Sequence, residues 1–192
     1  MNDLDDSALS GATYKVLYQI AGHATAGGSL HAFCSALHAL LAELMPARNL
    51  YLCLLNATQD GLNFPYYVDE RDGDSMQEVN VPMRRGLTEY VLRTQSAQLV
   101  DQPRFAALQA SGDITEATGD LSFYSWLGVP LHIGGKVGGV LTVQSYDSAV
   151  QYGAPAAQLL AFVARHVSAA IETKQSYDAL KAAHAELEQE TR

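Results

Sequence analysis

The chain has 192 residues, 48% of them hydrophobic, and a formal net charge of −9 from 12 basic and 21 acidic residues. This length supports one domain with a sizeable core, followed by a helical extension. The acidic balance disfavours nucleic acid and anionic membrane surfaces as partners, because both repel a negatively charged protein. The chain has no continuous apolar run long enough to span a bilayer, and residues 1–6 are acidic where a signal peptide would be basic. We therefore expect a soluble, cytoplasmic protein without membrane contact.

The first quarter of the chain predicts two helices. Apolar residues recur at helical spacing from Leu9 to Ala24, after acidic residues that suit a helix start. Ser29 is a typical N-cap for a second helix, whose apolar residues repeat at i, i+3, i+4 and i+7 as far as Leu44. Pro46 would end this helix.

Short strands and turns follow. Residues 50–55 and 62–68 predict two paired strands joined by a polar turn. Pro65 marks the second of them as an edge strand, because proline has no N–H to donate to a neighbour. Residues 79–83 are a possible third strand.

The next segment contains the longest irregular stretch. Residues 87–95 predict a short helix, and Leu99 with Val100 predicts a brief strand. Residues 101–124 show weak periodicity, with a helical patch only near residues 105–110. Loops longer than about 12–15 residues are usually functional or disordered, so we expect this segment to cover a binding site.

Residues 126–147, WLGVPLHIGGKVGGVLTVQSYD, predict a β-hairpin. Apolar residues alternate from Leu127 to Ile133, and residues 140–143 form a nearly continuous apolar run, which suits a strand covered on both faces. The glycines between them allow the chain to reverse. A phosphate-binding loop is the alternative reading of GGKVGG, but its spacing fits neither a P-loop nor a dinucleotide fingerprint, and a strand follows.

The C-terminal segment predicts one long helix, since no helix breaker occurs from Ala156 to Arg192. At 1.5 Å per residue it would span about 55 Å, more than a domain of this size can cover. We therefore divide the chain into a domain at residues 1–174 and the start of a coiled coil or linker at residues 175–192.

Three segments together resemble the GAF domain family. They are residues 86–94 with the strand that follows, residues 101–105 with Leu108, and the hairpin with residues 144–147, 159–164 and 169–172. The chain resembles the bacterial sensory GAF domains that precede diguanylate cyclase or histidine kinase output domains. The resemblance implies an α+β fold with an antiparallel sheet of five to six strands. It places the first, second and last helices on one face and ligand-binding loops on the other.

The resemblance also limits the chemistry. Cyclic-nucleotide-binding members carry an Asn, Lys, Phe, Asp and Glu signature that we do not find in this sequence. Bilin-binding members attach their chromophore through a cysteine in the pocket region, and Cys34 and Cys53 lie too early in the chain to match. The reductases of free methionine sulfoxide use cysteines without a counterpart here, so we expect a regulatory module rather than an enzyme. The cofactor, if any, stays unknown.

Two cysteines with apolar neighbours predict small core residues of a reducing compartment rather than a disulfide. Cys34 and His38 are spaced i, i+4, and with His31 or Cys53 they could form a metal site. Because Cys34 belongs to the apolar stripe of its helix, we interpret it as packing and predict no metal.

Aromatic side chains around the irregular segment are the better candidates for a site, because ligand pockets are mainly apolar with a few polar groups. Simple core filling is the competing interpretation. Arg104 could hold an anion bidentately, although a salt bridge with Asp101 or Asp113 fits equally well. The candidate ligand-binding residues are Phe64, Tyr66, Arg104, Phe105, Phe123, Tyr124 and Trp126.

The last helix also carries a seam of residues spaced three and four apart, as in a coiled coil. Its candidate dimer contacts are Val163, Ala170, Tyr177, Leu180 and Leu187. The polar seam residues His184 and Thr191 would weaken the pairing, and a fraying single helix is the alternative.

These patterns predict a sensory domain that binds a small molecule and passes a signal through a dimeric C-terminal helix to an output domain outside this chain. A GAF-fold dimerisation module without a ligand is one alternative. A GAF-fold enzyme with a reactive thiol is the other, and it would need a cysteine of lowered pKa.

Overall fold

The structure is a computed structural model that describes residues 11–25, 29–73 and 79–190. The predicted helix start at Leu9 and the seam residue Thr191 lie outside these ranges. The elements are α1 (Gly11–Thr25), α2 (Leu30–Leu41), β1 (Asn49–Leu55), β2 (Gly61–Val68), β3 (Val81–Pro82), α3 (Leu87–Thr94), β4 (Gln98–Asp101), α4 (Gln102–Ala110), β5 (Ser125–Ile133), β6 (Lys136–Ser145) and α5 (Ala154–Glu190).

The strands form a six-stranded sheet in the order β3-β2-β1-β6-β5-β4, and every neighbouring pair is antiparallel. The predicted α+β fold is therefore confirmed. β5 and β6 form the predicted hairpin, which turns at Gly134 and Gly135 with φ of 61° and 77°. The apolar strand β6 lies between β1 and β5, and its residues from Gly139 to Ser145 are all buried or nearly so, as expected for a strand covered on both faces.

Alternation along the strands divides the core in two. On one face, the apolar side chains of β1, β5 and β6 pack against α1, α2 and α5. This helical layer buries Leu52, Leu127, Val129, Leu141 and Val143 from the sheet. On the other face, a smaller cluster built around Val91, Phe105, Phe123 and Trp126 lies beneath α3, α4 and the segment that follows α4.

β2 departs from simple alternation. Leu52 pairs with Tyr66 and Leu54 with Asn63, so β2 contains one more residue than β1 over this stretch. Such a bulge reverses the faces of the residues beyond it, and proline is commonly found at bulges and edges. β2 is the second strand of the sheet, not the outermost. However, β3 pairs only with Gly61 and Leu62, so on the side away from β1 no strand of the described residues lies beside Pro65.

α4 is longer than the sequence predicted. It begins at Gln102, because the Asp101 carboxylate accepts a hydrogen bond from the Arg104 backbone N–H at 2.9 Å and Pro103 occupies the first turn. Both are typical helix-start signals. Residues 111–124 after α4 contain no helix or strand.

α5 has a buried and an exposed half. Val163 is fully buried and Ala170 is only 9% exposed within the chain's own core, so both were wrongly assigned to the dimer seam. Residues 172–189 are all exposed. Within the described residues, α5 is the only helix that could cross a membrane by length and composition, because it contains an 18-residue window with a mean hydropathy of 1.2. Of this window 33% is buried, and the core helix of a soluble protein passes the same test.

Candidate functional site

A cavity of about 290 Å³ lies on the face of the sheet that α3 and α4 cover. Its floor comes from β1, β2, β5 and β6, and its rim from the start of α3 and from residues 117–121. The lining residues described by the structure are Tyr51, Phe64, Tyr67, Asp72, Val81, Gly86, Leu87, Thr88, Glu89, Ala117, Thr118, Gly119, Asp120, Leu121, Phe123, Trp126 and Gln144. This combination of aromatic walls and a few fixed polar groups is typical of small-molecule sites.

The start of α3 is held tightly at the rim. The buried carboxylate of Glu89 accepts hydrogen bonds from the backbone N–H groups of Arg84 at 3.0 Å and Gly86 at 3.1 Å. A Cβ atom at Gly86 would lie 3.2 Å from the carbonyl oxygen of Glu116, so the rim segment approaches α3 closely at this point. Thr88 then extends to the floor, where its Oγ1 lies 2.9 Å from the Tyr51 hydroxyl.

Stacked aromatic rings form one wall. The rings of Tyr51 and Tyr67 are nearly parallel, with centroids 5.4 Å apart and 17° between the planes. Phe64 meets them at 6.0 Å and 6.2 Å. Burial raises the pKa of Tyr51 to about 12, so its hydroxyl stays protonated and can serve as a hydrogen-bond donor.

Carboxylates lie beside this wall. The Tyr67 hydroxyl donates to Asp72 at 3.2 Å, and the same carboxylate accepts the backbone N–H of Asp120 at 3.0 Å. These bonds connect the end of β2 to the segment after α4. Hydrogen bonds from Ser122 hold the pKa of Asp120 below its usual range, so this group stays ionised at neutral pH.

A buried polar network supports this side. Gln144 donates to Asp69 at 2.6 Å, and the Tyr146 hydroxyl donates to the same carboxylate at 3.0 Å. Burial and the adjacent Asp69 carboxylate raise the pKa of Tyr146. The guanidinium of Arg71 lies 4.2 Å above the Tyr146 ring and donates to Ser122 at 2.5 Å. Hydrogen-bonded networks of this kind rigidify a site.

Of the seven predicted ligand-binding residues, the structure brings Phe64, Phe123 and Trp126 together at the cavity. Phe105 lies behind Phe123, with ring centroids 5.5 Å apart, and supports the wall without lining it. Tyr66 is on the opposite face, where its hydroxyl lies 2.8 Å from His38 Nδ1, because the bulge in β2 reverses its direction.

The two remaining predicted residues also lie away from the cavity. The Arg104 guanidinium donates to the Gln98 side chain at 2.6 Å. Among the described residues it forms no salt bridge with Asp101 or Asp113, and Asp101 accepts only the Arg104 backbone N–H. Tyr124 is half exposed at the surface.

Sequence reasoning missed the polar half of the site. Thr88, Glu89, Asp72 and Asp120 come from three separate segments, and no motif connects them in the sequence. Glu89 could have been found, because a carboxylate three residues after a helix N-cap is a capping signal. The acidic residues at positions 72 and 120 carried no comparable signal.

The cysteines lie outside the cavity. Cys34 packs in the helical layer, and Cys53 is fully buried in β1. Burial raises the pKa of the Cys34 thiol to about 12 and also raises the pKa of Cys53, which disfavours the reactive thiolate. His38, the suggested metal partner of Cys34, contacts Tyr66 with one ring nitrogen and the Ala47 carbonyl oxygen with the other. No group of three metal-ligating side chains occurs in the part of the chain that the structure describes.

A mixed helix and sheet domain with a cavity on one face of a six-stranded antiparallel sheet defines a class of α+β binding folds. The chain belongs to the GAF domain family, whose model matches residues 29–171. A search of curated protein sequences gave no match.

Solved structures show the same fold. The GAF domain of a phosphoenolpyruvate-protein phosphotransferase from Acinetobacter is 19% identical and superimposes with a TM-score of 0.68, covering 87% of this chain and 96% of that one. A free methionine-R-sulfoxide reductase from Neisseria meningitidis, solved in complex with its substrate, is 21% identical with a TM-score of 0.63, covering 86% and 92%. Residues 122 to 287 of a methyl-accepting chemotaxis protein are 16% identical with a TM-score of 0.65, covering 80% and 94%. At these identities the likeness concerns the fold alone.

Proposed function

We propose that this GAF domain is a sensory module that binds a small molecule in the cavity of about 290 Å³ and passes the signal to α5. The cavity between the sheet, α3 and residues 117–121 is the observation that carries this proposal. Its volume lies at the lower end of the range for ligand pockets, which favours a small ligand.

β5 offers a route from the cavity to α5. Trp126 lines the cavity, while its neighbour Leu127 belongs to the core beneath α5 on the other face of the sheet. A displacement of this strand by a ligand would therefore act on the helix. In addition, the Glu172 carboxylate accepts the backbone N–H of Gly134 at 2.7 Å, which connects the β5–β6 turn to α5 at the point where the helix leaves the core.

The exposed half of α5 would pair with a second copy. From Glu172 to Glu190 it extends for about 28 Å, and Tyr177, Leu180 and Leu187 are exposed there at 67%, 70% and 62%. Their spacing of three and seven residues matches a coiled-coil seam, with His184 as a weakening polar position. We place the boundary between domain and coiled coil at residues 174/175. An output domain such as a diguanylate cyclase or a histidine kinase would follow, as in the family's bacterial sensors.

The proposed module works in the cytoplasm without catalysing a reaction. The apolar residues in the first half of α5 build the core, and those in the exposed half are assigned here to the proposed dimer seam. Some structural neighbours are reductases of methionine sulfoxide, but both cysteines of this chain lie outside the cavity. A dimerisation module with a filled core is the remaining alternative, and a cavity of this size argues against it.

Ligand binding can be tested with Trp126, which is the chain's single tryptophan and lines the cavity. A metabolite library is screened for changes in its emission and in thermal stability. A ligand at 100 times its Kd should raise the melting temperature by about 5–10 °C. An Ala117→Phe variant should abolish both effects by filling the cavity, whereas Ala106→Phe on the exposed surface of α4 should retain them. Equal responses in both variants would refute the site.

A further inference from the structure

The cavity described above is one-sided in charge. Three of its described lining residues, Asp72, Glu89 and Asp120, carry carboxylates. No described lining residue is Lys, Arg or His. A ligand with negative charge would therefore meet repulsion from several groups at once.

Among the described cations, Arg71 pairs with one of these carboxylates, that of Asp120, from a position outside the lining. Arg71 is half exposed, stacks on Tyr146 and contacts Ser122 and Asp120 from outside, and it does not line the cavity. The positive N-terminal end of α3 would attract an anion, but the Glu89 carboxylate already lies in its first turn. Both sources of positive potential are thus engaged with protein carboxylates.

The polar groups are mainly acceptors. Tyr67 gives its proton to Asp72, and the Gln144 amide N–H groups are used by Asp69 and Tyr146. Gln144 is 7% exposed, and its Oε1 accepts no hydrogen bond from the described residues. A ligand that donates hydrogen bonds would find an acceptor at Gln144, which lines the cavity.

The aromatic wall suits a cation as well. Phe64, Tyr67 and Trp126 line the same space as the carboxylates, and ring faces attract organic cations by about the same mechanism as they attract Lys and Arg. We propose that the ligand of this cavity is a small organic ammonium ion, held by aromatic faces and by Asp72 and Asp120. This inference rests on the proposed function, because it assigns a chemical class to the same site.

The test compares probes that share an isoamyl group and differ in the charge of the group attached to it. Isoamylamine, isoamyl alcohol and isocaproate are cationic, neutral and anionic at pH 7, and choline serves as a quaternary ammonium probe. Binding is measured by Trp126 emission at constant ionic strength. We expect isoamylamine or choline to bind about tenfold more tightly than the alcohol, with isocaproate the weakest. Binding should disappear in Ala117→Phe.

Two charge variants locate the effect. Asp72→Asn keeps an acceptor for Tyr67 but removes one charge, and it should weaken the ammonium probes about tenfold while leaving the alcohol unchanged. Asp113→Asn removes a charge from the same region outside the described lining and should change neither.

The outcomes separate the two proposals. Tighter binding of the alcohol or isocaproate, lost in Ala117→Phe, would overturn the ammonium assignment while supporting a ligand site. Ammonium binding that persists in Ala117→Phe would place it elsewhere and overturn the assignment too. If no probe binds, the ammonium class is wrong, and the library screen still decides whether the domain has a ligand.

Discussion

Gly128 determines how Trp126 lies at the floor of the cavity. A Cβ atom at this position would lie 2.3 Å from Cη2 of the Trp126 ring and 3.1 Å from a methyl group of Val91. The indole therefore occupies the space that any larger residue would need. Gly128 sits in β5 opposite Thr142 of β6, in the middle of the sheet, where the backbone cannot move away easily.

We predict that Gly128→Ala displaces the Trp126 ring and lowers the free energy of unfolding by about 1–3 kcal/mol, the usual cost of overpacking. Denaturant unfolding measures the loss, and Trp126 emission should shift in the folded state. Gly153→Ala is the control, since its nearest new contact is an ordinary one of 3.7 Å, to Pro155. Equal stability and emission for Gly128→Ala and wild type would show that the ring is loosely held.

A buried thiol and a buried tyrosine make the free energy of unfolding depend on pH in the alkaline range. The pKa of Cys34 rises from 9.0 to about 12 on folding, and that of Tyr51 rises from 10.0 to about 12. Unfolded chains therefore release these protons at lower pH than the folded protein does. The corresponding stability is fully present below about pH 9 and is lost as the pH rises towards 12.

We predict that the free energy of unfolding falls between pH 9 and pH 12 and that Cys34→Ala makes this fall shallower. Because both thiols are buried and protonated, a thiol reagent at pH 8 should modify Cys34 and Cys53 only at the rate of unfolding. Denaturant curves at several pH values and a thiol titration check the two statements. Rapid labelling of folded protein would contradict the core assignment and reopen thiol chemistry.

At the scale of elements, α5 joins two environments in one helix. Its first half completes the core with Leu160, Val163 and Val167, and its second half has no described contact with the sheet. Single helices in water are marginal without tertiary packing. In the proposed dimer, a second α5 would supply this packing to the exposed half.

We predict that truncation after Lys174 shifts the sedimentation mass towards the monomer without unfolding the domain. The double variant Leu180→Lys with Leu187→Lys should do the same by placing charges in the seam. Ala182→Lys, on the opposite side of the helix, should leave the dimer intact. A dimer that survives truncation would show that the interface lies elsewhere.

The bulge in β2 shows where element prediction reached its limit. The sequence correctly indicated a strand around Pro65, and strict alternation would place Phe64 and Tyr66, both predicted to bind the ligand, on one face. One extra residue between Asn63 and Tyr66 separates them, so Phe64 faces the cavity with Tyr67 while Tyr66 faces α2. Pro65 was the available signal, although proline at an edge and proline at a bulge look alike in sequence.

At the scale of the whole molecule, most of the fold could be predicted. The β5–β6 hairpin, the capped helix after Ser29 and the long last helix depend on local patterns that a sequence shows directly. Strand order and the sharing of α5 between core and solvent depend on long-range packing. Val163 was wrongly assigned to a dimer seam because seam residues and core residues of a helix have the same spacing, and only the packed structure distinguishes them.

The site was predictable only in part. Aromatic residues near the irregular segment pointed to Phe123 and Trp126, because large apolar side chains beside a long connection signal a covered face. Asp72 and Asp120 are 48 residues apart in the sequence. They are brought together by a hydrogen bond from the Asp120 backbone N–H to the Asp72 carboxylate. Nothing in either local sequence encodes this meeting, so the charge of the cavity emerged from the structure alone.

Native mass spectrometry tests the central claim, that the cavity binds a small molecule, most directly. The purified protein is incubated with the small-molecule fraction of a bacterial extract and measured beside Ala117→Phe and Ala106→Phe. The account predicts one additional small mass per chain for wild type and Ala106→Phe, and none for Ala117→Phe. Bare protein in all three samples, or the same added mass in Ala117→Phe, would contradict it.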